Sequence, residues 1–169
     1  IFFTATNANA QGPTDVFKDK TMTISVGYLP GGGYDLNARA VGRYIGKHIP
    51  GNPKVIVQNM PGAEGIKAAN YLYSVAPRDG SVIGGLQRNT GLDKFYRPND
   101  TGVQYDARKF TWLGSTQQEI GFFLVSTKTG VKTIEDLKTK EITISSTART
   151  SPSSVYGRFL NALYGTKIR

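Results

Sequence analysis

The chain has 169 residues, of which 38% are hydrophobic and 20% charged, a balance typical of folded globular proteins and not of disordered ones. It contains no cysteine, which excludes disulfides, thiolate catalysis and cysteine-ligated zinc. The net charge of +9 favours acidic partners, but the basic residues are scattered and form no nucleic-acid motif. With a single histidine, His48, at the end of a predicted helix, we expect no metal site, no cofactor and no nucleic-acid partner.

The N-terminal segment IFFTATNANAQG starts with apolar residues and runs into Ala8-Asn9-Ala10, the small-x-small pattern that signal peptidase accepts. We therefore expect residues 1–10 to be the remnant of a cleaved signal peptide and residues 11–20 to be a linker. A disordered tail is the alternative. No other segment approaches the roughly 18 apolar residues of a membrane span.

Strands and helices alternate through the first part of the chain. Apolar and polar residues alternate over 21–28, which predicts a strand, and after three glycines the apolar residues fall four apart. Two such stripes, Leu36-Ala40-Tyr44 and Val41-Ile45, predict a helix that packs on a sheet. KVIVQN at 54–59 predicts a buried strand, 68–76 a second helix and 81–86 a third strand. This alternation is typical of a parallel α/β unit, which we place at residues 21–115.

A second, incomplete α/β unit is predicted over residues 116–169. Residues 90–109 look irregular, whereas 110–116, 120–127 and 141–146 are predicted strands. A short helix is expected to begin near Thr133, its candidate N-cap. Ser151 and Pro152 favour the start of a last helix, with Val155, Phe159 and Leu163 as its buried stripe and Gly165 at its end.

The glycine turn Gly31-Gly32-Gly33, followed by Tyr34 and Asp35, is the first candidate binding site. Glycines let a ligand approach the backbone, and the following helix start offers N–H groups and partial positive charge to an anion. The Walker pattern fails because no lysine follows the turn, and the dinucleotide spacing fails as well. A small carboxylate fits better. We expect Asp35 to cap the helix and Arg39, one turn along, to pair with it. The alternatives are a nucleotide- or phosphate-binding α/β enzyme that uses this turn, and a turn that merely joins strand to helix.

A second candidate turn, rich in hydroxyl groups, precedes the last helix. Its proposed ligand contacts are Thr150, Ser151, Ser153 and Ser154. Neither a Gly-x-Ser-x-Gly setting nor a histidine partner accompanies these serines, so hydrolysis is not expected. Arg88, after the third strand, is a candidate contact for a second carboxylate, because ligands bind at the carboxyl ends of parallel strands. A solvated loop cation is the alternative.

Several motifs in order carry a family resemblance: PGGGYD, VQNMPGAEG, APRDG, YDARKF, KTIEDL and TSPSS. Over residues 20–169 the chain resembles the periplasmic solute-binding receptors of tripartite tricarboxylate transporters, called Bug proteins. The resemblance implies a type II periplasmic-binding-protein-like α/β fold of two lobes, the second incomplete here, with the chain continuing past Arg169. Departures are Tyr34 where the family has Thr or Ser, and Met60 and Glu64 in place of Arg and Gly.

The same resemblance implies a receptor that performs no catalysis. It would bind a small organic anion between the lobes, be it a di- or tricarboxylate, an aromatic carboxylate or an amino acid, and deliver it to membrane transporter subunits. The implied contacts are Gly31 to Asp35 in the first lobe and Thr150 to Ser154 in the second. The implied location is the periplasm, and the full-length protein is expected to be a monomer.

Overall fold

The computed structural model describes residues 16–118, 120–146 and 151–169. The predicted signal-peptide remnant, linker residues 11–15 and the candidate contact Thr150 lie outside these ranges. The chain divides into two units, Ile1–Phe110 and Thr111–Arg169, each of which is described by itself. Within the described residues, every helix is too short or too polar to span a lipid bilayer.

The first unit is built on a three-stranded parallel sheet in the order β2-β1-β3. Its strands are β1 (Thr21–Val26), β2 (Lys54–Asn59) and β3 (Val82–Gly85). Helix α1 (Gly33–Ile45) joins β1 to β2, and helix α2 (Ile66–Ser74) joins β2 to β3. These five elements lie where the sequence periodicity predicts them. Parallel strands cannot be joined by a tight turn, so each connection must cross back over the sheet, and here each contains a helix.

Burial along the sheet follows from the strand order. β1 is central, and its Met22, Ile24 and Val26 are buried. Among the described residues β2 pairs only with β1, and its residues alternate between exposed and half-buried. The prediction that KVIVQN is a buried strand is therefore wrong, because only the face that carries Val55 and Val57 packs against the core.

Helix α1 presents a different face to the sheet from one of those predicted. Ala38 is buried and Val41 packs against the cluster formed with Ile24 and Val26, as the Val41-Ile45 stripe predicts. The other stripe is wrong, since its Leu36 and Tyr44 are exposed. The reason is Asp35, which is buried on the sheet side of α1 and turns the neighbouring Leu36 outward.

Residues 90–109, predicted to be irregular, contain helix α3 (Asp93–Tyr96) and one-turn 3-10 helices at Thr90–Leu92 and Ala107–Lys109. This segment packs on α2 through a cluster that includes Ile66, Val103 and Tyr105. The Tyr105 hydroxyl donates a 2.5 Å hydrogen bond to Oδ2 of the buried Asp93. The segment therefore belongs to the core of the first unit.

We expect Tyr105→Phe to lower the free energy of unfolding by about 1–3 kcal/mol, because it leaves the buried Asp93 carboxylate without its hydroxyl donor. Urea denaturation followed by circular dichroism measures the change. Tyr44→Phe is the matched control, since Tyr44 is exposed and should tolerate loss of its hydroxyl. Equal stabilities of the two variants would contradict the expectation.

The second unit contains α4 (Asp136–Thr139) and α5 (Pro152–Tyr164) around a small core of Leu137, Ile142 and Ile168. The Thr133 hydroxyl accepts the Asp136 N–H at 3.3 Å, but α4 begins at Asp136 and its N-cap residue is Glu135, so the prediction of Thr133 as the N-cap is wrong. In α5, Ser151 and Gly165 bound the helix as predicted. Its buried stripe is predicted only in part, because Val155 is buried whereas Phe159 and Leu163 are exposed.

The strands predicted for the second unit are wrong in the described residues. The segments 110–116 and 120–127 form no ladder, and 141–146 contributes one isolated parallel bridge between Ile142 and Ile168. A segment with strand-forming residues becomes a strand only when a neighbouring strand pairs with its backbone N–H and C=O groups. The described part of this unit contains no such neighbour for these segments. Phe122 and Leu124 are consequently exposed.

Candidate functional site

An open pocket of about 400 Å³ lies in the first unit at the carboxyl ends of β1 and β2. One wall is the loop after β1, with residues 27–30 and Gly32, and the other is the loop after β2, with residues 61–64. This is the edge of a parallel sheet at which α/β proteins bind ligands. Of the contacts predicted in the glycine turn, Gly32 lines this pocket, whereas Gly31, Gly33, Tyr34 and Asp35 are not among its lining residues.

The start of α1 is open to a ligand. Gly31 has φ of +88°, a left-handed conformation that favours glycine, and Gly32 is the N-cap residue without a side-chain hydrogen bond to the helix. A Cβ built on Gly31 or Gly33 would meet no described atom within 4 Å. Close packing in the described residues therefore does not require glycine at position 33. The first N–H groups of α1 have no partner within the helix, as in any α-helix, and can donate to a ligand.

Asp35 holds this turn in place. Its side chain is 2% exposed, its Oδ2 accepts from the Gly31 N–H and from Arg39 Nε, both at 2.9 Å, and its Oδ1 accepts from Asn59 Nδ2 at 2.8 Å. These bonds hold the pKa of Asp35 well below its usual range, and the bond from Arg39 has the largest effect. The predicted pair with Arg39 is confirmed. The capping prediction is wrong, because Gly32 is the N-cap and Asp35 reaches back from inside the helix.

Asn59, which the sequence analysis does not single out, connects the two strands beside the pocket. Its amide donates to the Tyr28 carbonyl oxygen at 2.9 Å as well as to Asp35, and its Oδ1 accepts from Arg39 Nη2 at 3.0 Å. The one sequence feature that could have identified Asn59 is its position as the last residue of a predicted parallel strand. Asp35 and Asn59 therefore support the turn rather than present their polar atoms to solvent; direct ligand contact by Asp35 stays a prediction.

Tyr28 is a second residue that the sequence analysis does not single out. Its ring stacks on that of Tyr34, with centroids 4.6 Å apart and planes 14° from parallel. Its hydroxyl donates to Gln87 Oε1 at 2.8 Å and lies 3.2 Å from the Glu64 carbonyl oxygen. Burial raises the pKa of Tyr28 to about 12, so the hydroxyl stays protonated and remains a donor at neutral pH. Tyr34, predicted as a ligand contact, thus has one ring face covered by Tyr28.

The loop after β2 has an unusual backbone. Ala63 and Glu64 have φ of +46° and +56°, in the left-handed region that is costly for residues other than glycine. The Tyr28 hydroxyl contacts the Glu64 carbonyl oxygen, and Arg97 Nη2 donates to Glu64 Oε2 at 2.9 Å. Such conformations persist only where neighbours hold them, and they concentrate at binding sites.

The other predicted contacts are distributed over both units. Arg88 is exposed in the loop after β3 and is not among the residues that line the pocket. In the second unit, the Ser151 and Ser153 hydroxyl oxygens are 3.0 Å apart, and Ser154 is half-buried in the first turn of α5. A ligand contact by Arg88, and a cleft shared by the glycine and serine turns, stay predictions.

Two curated bacterial proteins are similar to the chain. It is 32% identical over 100 residues to the UPF0065 protein in gbd 5'region of Cupriavidus necator, across 59% of this chain and 28% of that protein. This chain is similar to UPF0065 proteins. It is also 36% identical over 86 residues to the UPF0065 protein in tcbD-tcbE intergenic region of Pseudomonas sp. (strain P51), across 50% of this chain and 24% of that protein.

The matched stretches thus span about a quarter of the length of each UPF0065 relative. No family model matches the chain, and no solved structure matches it either. The UPF0065 similarity supports the Bug-family resemblance drawn from the motifs and agrees with a binding protein rather than an enzyme.

Proposed function

We propose that the protein is a Bug-type periplasmic receptor that binds a small organic carboxylate at the β1–α1 turn and delivers it unchanged to membrane transporter subunits. The observation that carries the proposal is the uncapped start of α1 beside a pocket at the carboxyl ends of the strands. Helix N-termini attract anions through free N–H groups and the helix dipole. The similarity to UPF0065 proteins supports the same class.

The chemistry of the turn favours a carboxylate over a phosphate group. A P-loop nucleotide site has a lysine directly after the turn, whereas the first turn of α1 carries the acidic Asp35, which is already paired with Arg39 and would repel a diphosphate. A single carboxylate needs no more than two or three backbone donors. The net charge of +9 would also raise the local concentration of organic anions at the surface.

Gly33→Ala tests the site. Because a Cβ at Gly33 meets no described atom, the free protein should keep its Tm or gain slightly from the better helix propensity of alanine. A carboxylate lying against the turn would meet the new methyl group, and its affinity should fall about tenfold or more. We would measure ligand-dependent shifts of Tm across a panel of organic acids, amino acids and nucleotides.

Gly91→Ala is the matched control, because a Cβ on Gly91 also meets no described atom within 4 Å, but Gly91 lies in the turn Thr90–Leu92 and not at the start of α1. Carboxylate-dependent shifts that survive in Gly91→Ala and disappear in Gly33→Ala are the expected result. Shifts that are equal in both variants would remove the turn from the site. Shifts with nucleotides alone would establish the phosphate-binding alternative instead.

A further inference from the structure

The pocket beside the turn has an apolar wall. Leu29 and Pro30 in the loop after β1, and Pro61 and Ala63 in the loop after β2, all line the pocket and are all exposed, Leu29 by 68%. Apolar side chains from two separate loops thus border the space next to the uncapped start of α1. A ligand held there by its carboxylate would place the rest of its body against hydrocarbon, where an apolar group is stabilised by leaving water.

The charged residue on this wall is acidic. Glu64 is the charged residue among those described that line the pocket, and its Oε2 accepts from Arg97 Nη2 at 2.9 Å. Arg97 is also 3.7 Å from Asp100 Oδ2. One guanidinium is thus shared by two carboxylates. The side chains of Arg97 and Glu64 are only 12% and 26% exposed, so solvent screens this cluster incompletely.

A second carboxylate on the ligand would therefore find no free positive charge on this wall. Contact with Leu29, Pro30, Pro61 and Ala63 would remove part of its hydration shell without supplying an opposite charge, which is unfavourable. From these observations, and resting on the proposed function, we infer that the ligand carries one carboxylate on an apolar body and that Glu64 disfavours a second acidic group. Leu29, Pro30, Pro61 and Ala63 hold the apolar body.

Two acids of equal chain length test this inference. Hexanoate ends in a methyl group where adipate has a second carboxylate. Their affinities for the full chain can be compared by isothermal titration calorimetry. We expect hexanoate to bind about tenfold or more tightly than adipate. Both affinities should fall in Gly33→Ala, which tests the shared carboxylate site.

Glu64→Gln removes the acidic group while keeping an amide oxygen to accept from Arg97. The adipate affinity should rise about tenfold because Arg97 is partly released, whereas the hexanoate affinity should change little. Asp100→Asn is the control, since Asp100 also faces Arg97 but does not line the pocket, and its effect on adipate should be smaller. Equal changes of both affinities in Glu64→Gln would overturn the role assigned to Glu64.

The outcomes separate this inference from the proposed function. Tighter binding of adipate than of hexanoate by the unaltered protein would overturn the inference but leave the carboxylate receptor standing. If that preference disappeared in Arg88→Ala, the second carboxylate would lie on Arg88. Absence of binding by either acid, together with no Tm shift across the panel of organic acids, would overturn the proposed function itself.

Discussion

Replacing Gly27 by alanine should lower the stability of the first unit and weaken anion binding together. A Cβ on Gly27 would lie 2.6 Å from the Gly65 Cα and 3.4 Å from the Gly65 carbonyl oxygen. The Gly65 backbone cannot move away freely, because Gly65 has φ of +90° and leads directly into α2. Overpacking of this kind costs about 1–3 kcal/mol.

The displacement caused by Gly27→Ala would move the pocket wall that follows β2. Glu64 immediately precedes Gly65 and lines the pocket, so the two walls would separate where Gly27 packs on Gly65. Urea denaturation gives the loss of stability, and calorimetry with the ligand found in the acid panel gives the loss of affinity. We expect the affinity to fall about tenfold, since small displacements of positioning groups have large effects.

Gly32→Ala is the control for stability. The nearest described atom to a Cβ on Gly32 is the Leu29 carbonyl oxygen at 3.8 Å, an ordinary contact distance. Gly32→Ala should therefore lose less stability than Gly27→Ala, because its cost is limited to the poorer N-cap that alanine makes at the start of α1. A Gly27→Ala variant as stable as Gly32→Ala would show that the loop after β2 moves without cost and would contradict the close packing of Gly27 on Gly65.

The periodicity of the sequence predicts the strands and helices of the first unit because each depends on local spacing. It predicts two apolar stripes on α1 but does not decide between them, since the choice depends on Asp35 and its partner Asn59 in a different strand. Nor does it predict that β2 is an edge strand, because strand order is set by contacts distant in sequence. In the second unit, β-forming segments such as 120–127 lack a neighbouring strand among the described residues, and propensity alone does not produce a ladder.

The candidate site was predictable where its signal is local. Three glycines before a helix mark the turn, but the residues that hold the pocket walls act through distant partners. Tyr28 contacts Gln87 and Glu64, and Arg97 contacts Glu64. The positions of Tyr28 and Gln87, just after the ends of β1 and β3, are the one sequence signal that could have identified them, because parallel strands bring their carboxyl ends to one edge.

Asp35→Asn should lower the Tm at neutral pH and remove much of the acid sensitivity of the first unit. The pKa of Asp35 is held well below its usual range by Arg39, Gly31 and Asn59. A carboxyl group whose pKa is lowered by folding stabilises the protein fully above its unfolded pKa of about 3.9, and that contribution is lost as the pH falls below it. Tm measured from pH 7 to pH 2 should therefore fall less steeply in Asp35→Asn.

Asp106→Asn is the matched comparison. Arg108 lowers the pKa of Asp106 to about 2, so this carboxylate also stabilises the fold at neutral pH and loses its contribution in acid. Arg108 is largely exposed, however, and solvent screens the pair. We expect Asp106→Asn to change the acid limb of the Tm profile much less than Asp35→Asn does. Asp79 and Asp136 also have lowered pKa values, so a residual acid limb should persist in both variants. Parallel profiles for Asp35→Asn and the unaltered protein would show that the carboxylate bonds at the glycine turn do not stabilise the fold, and the turn would then be held by its glycines alone.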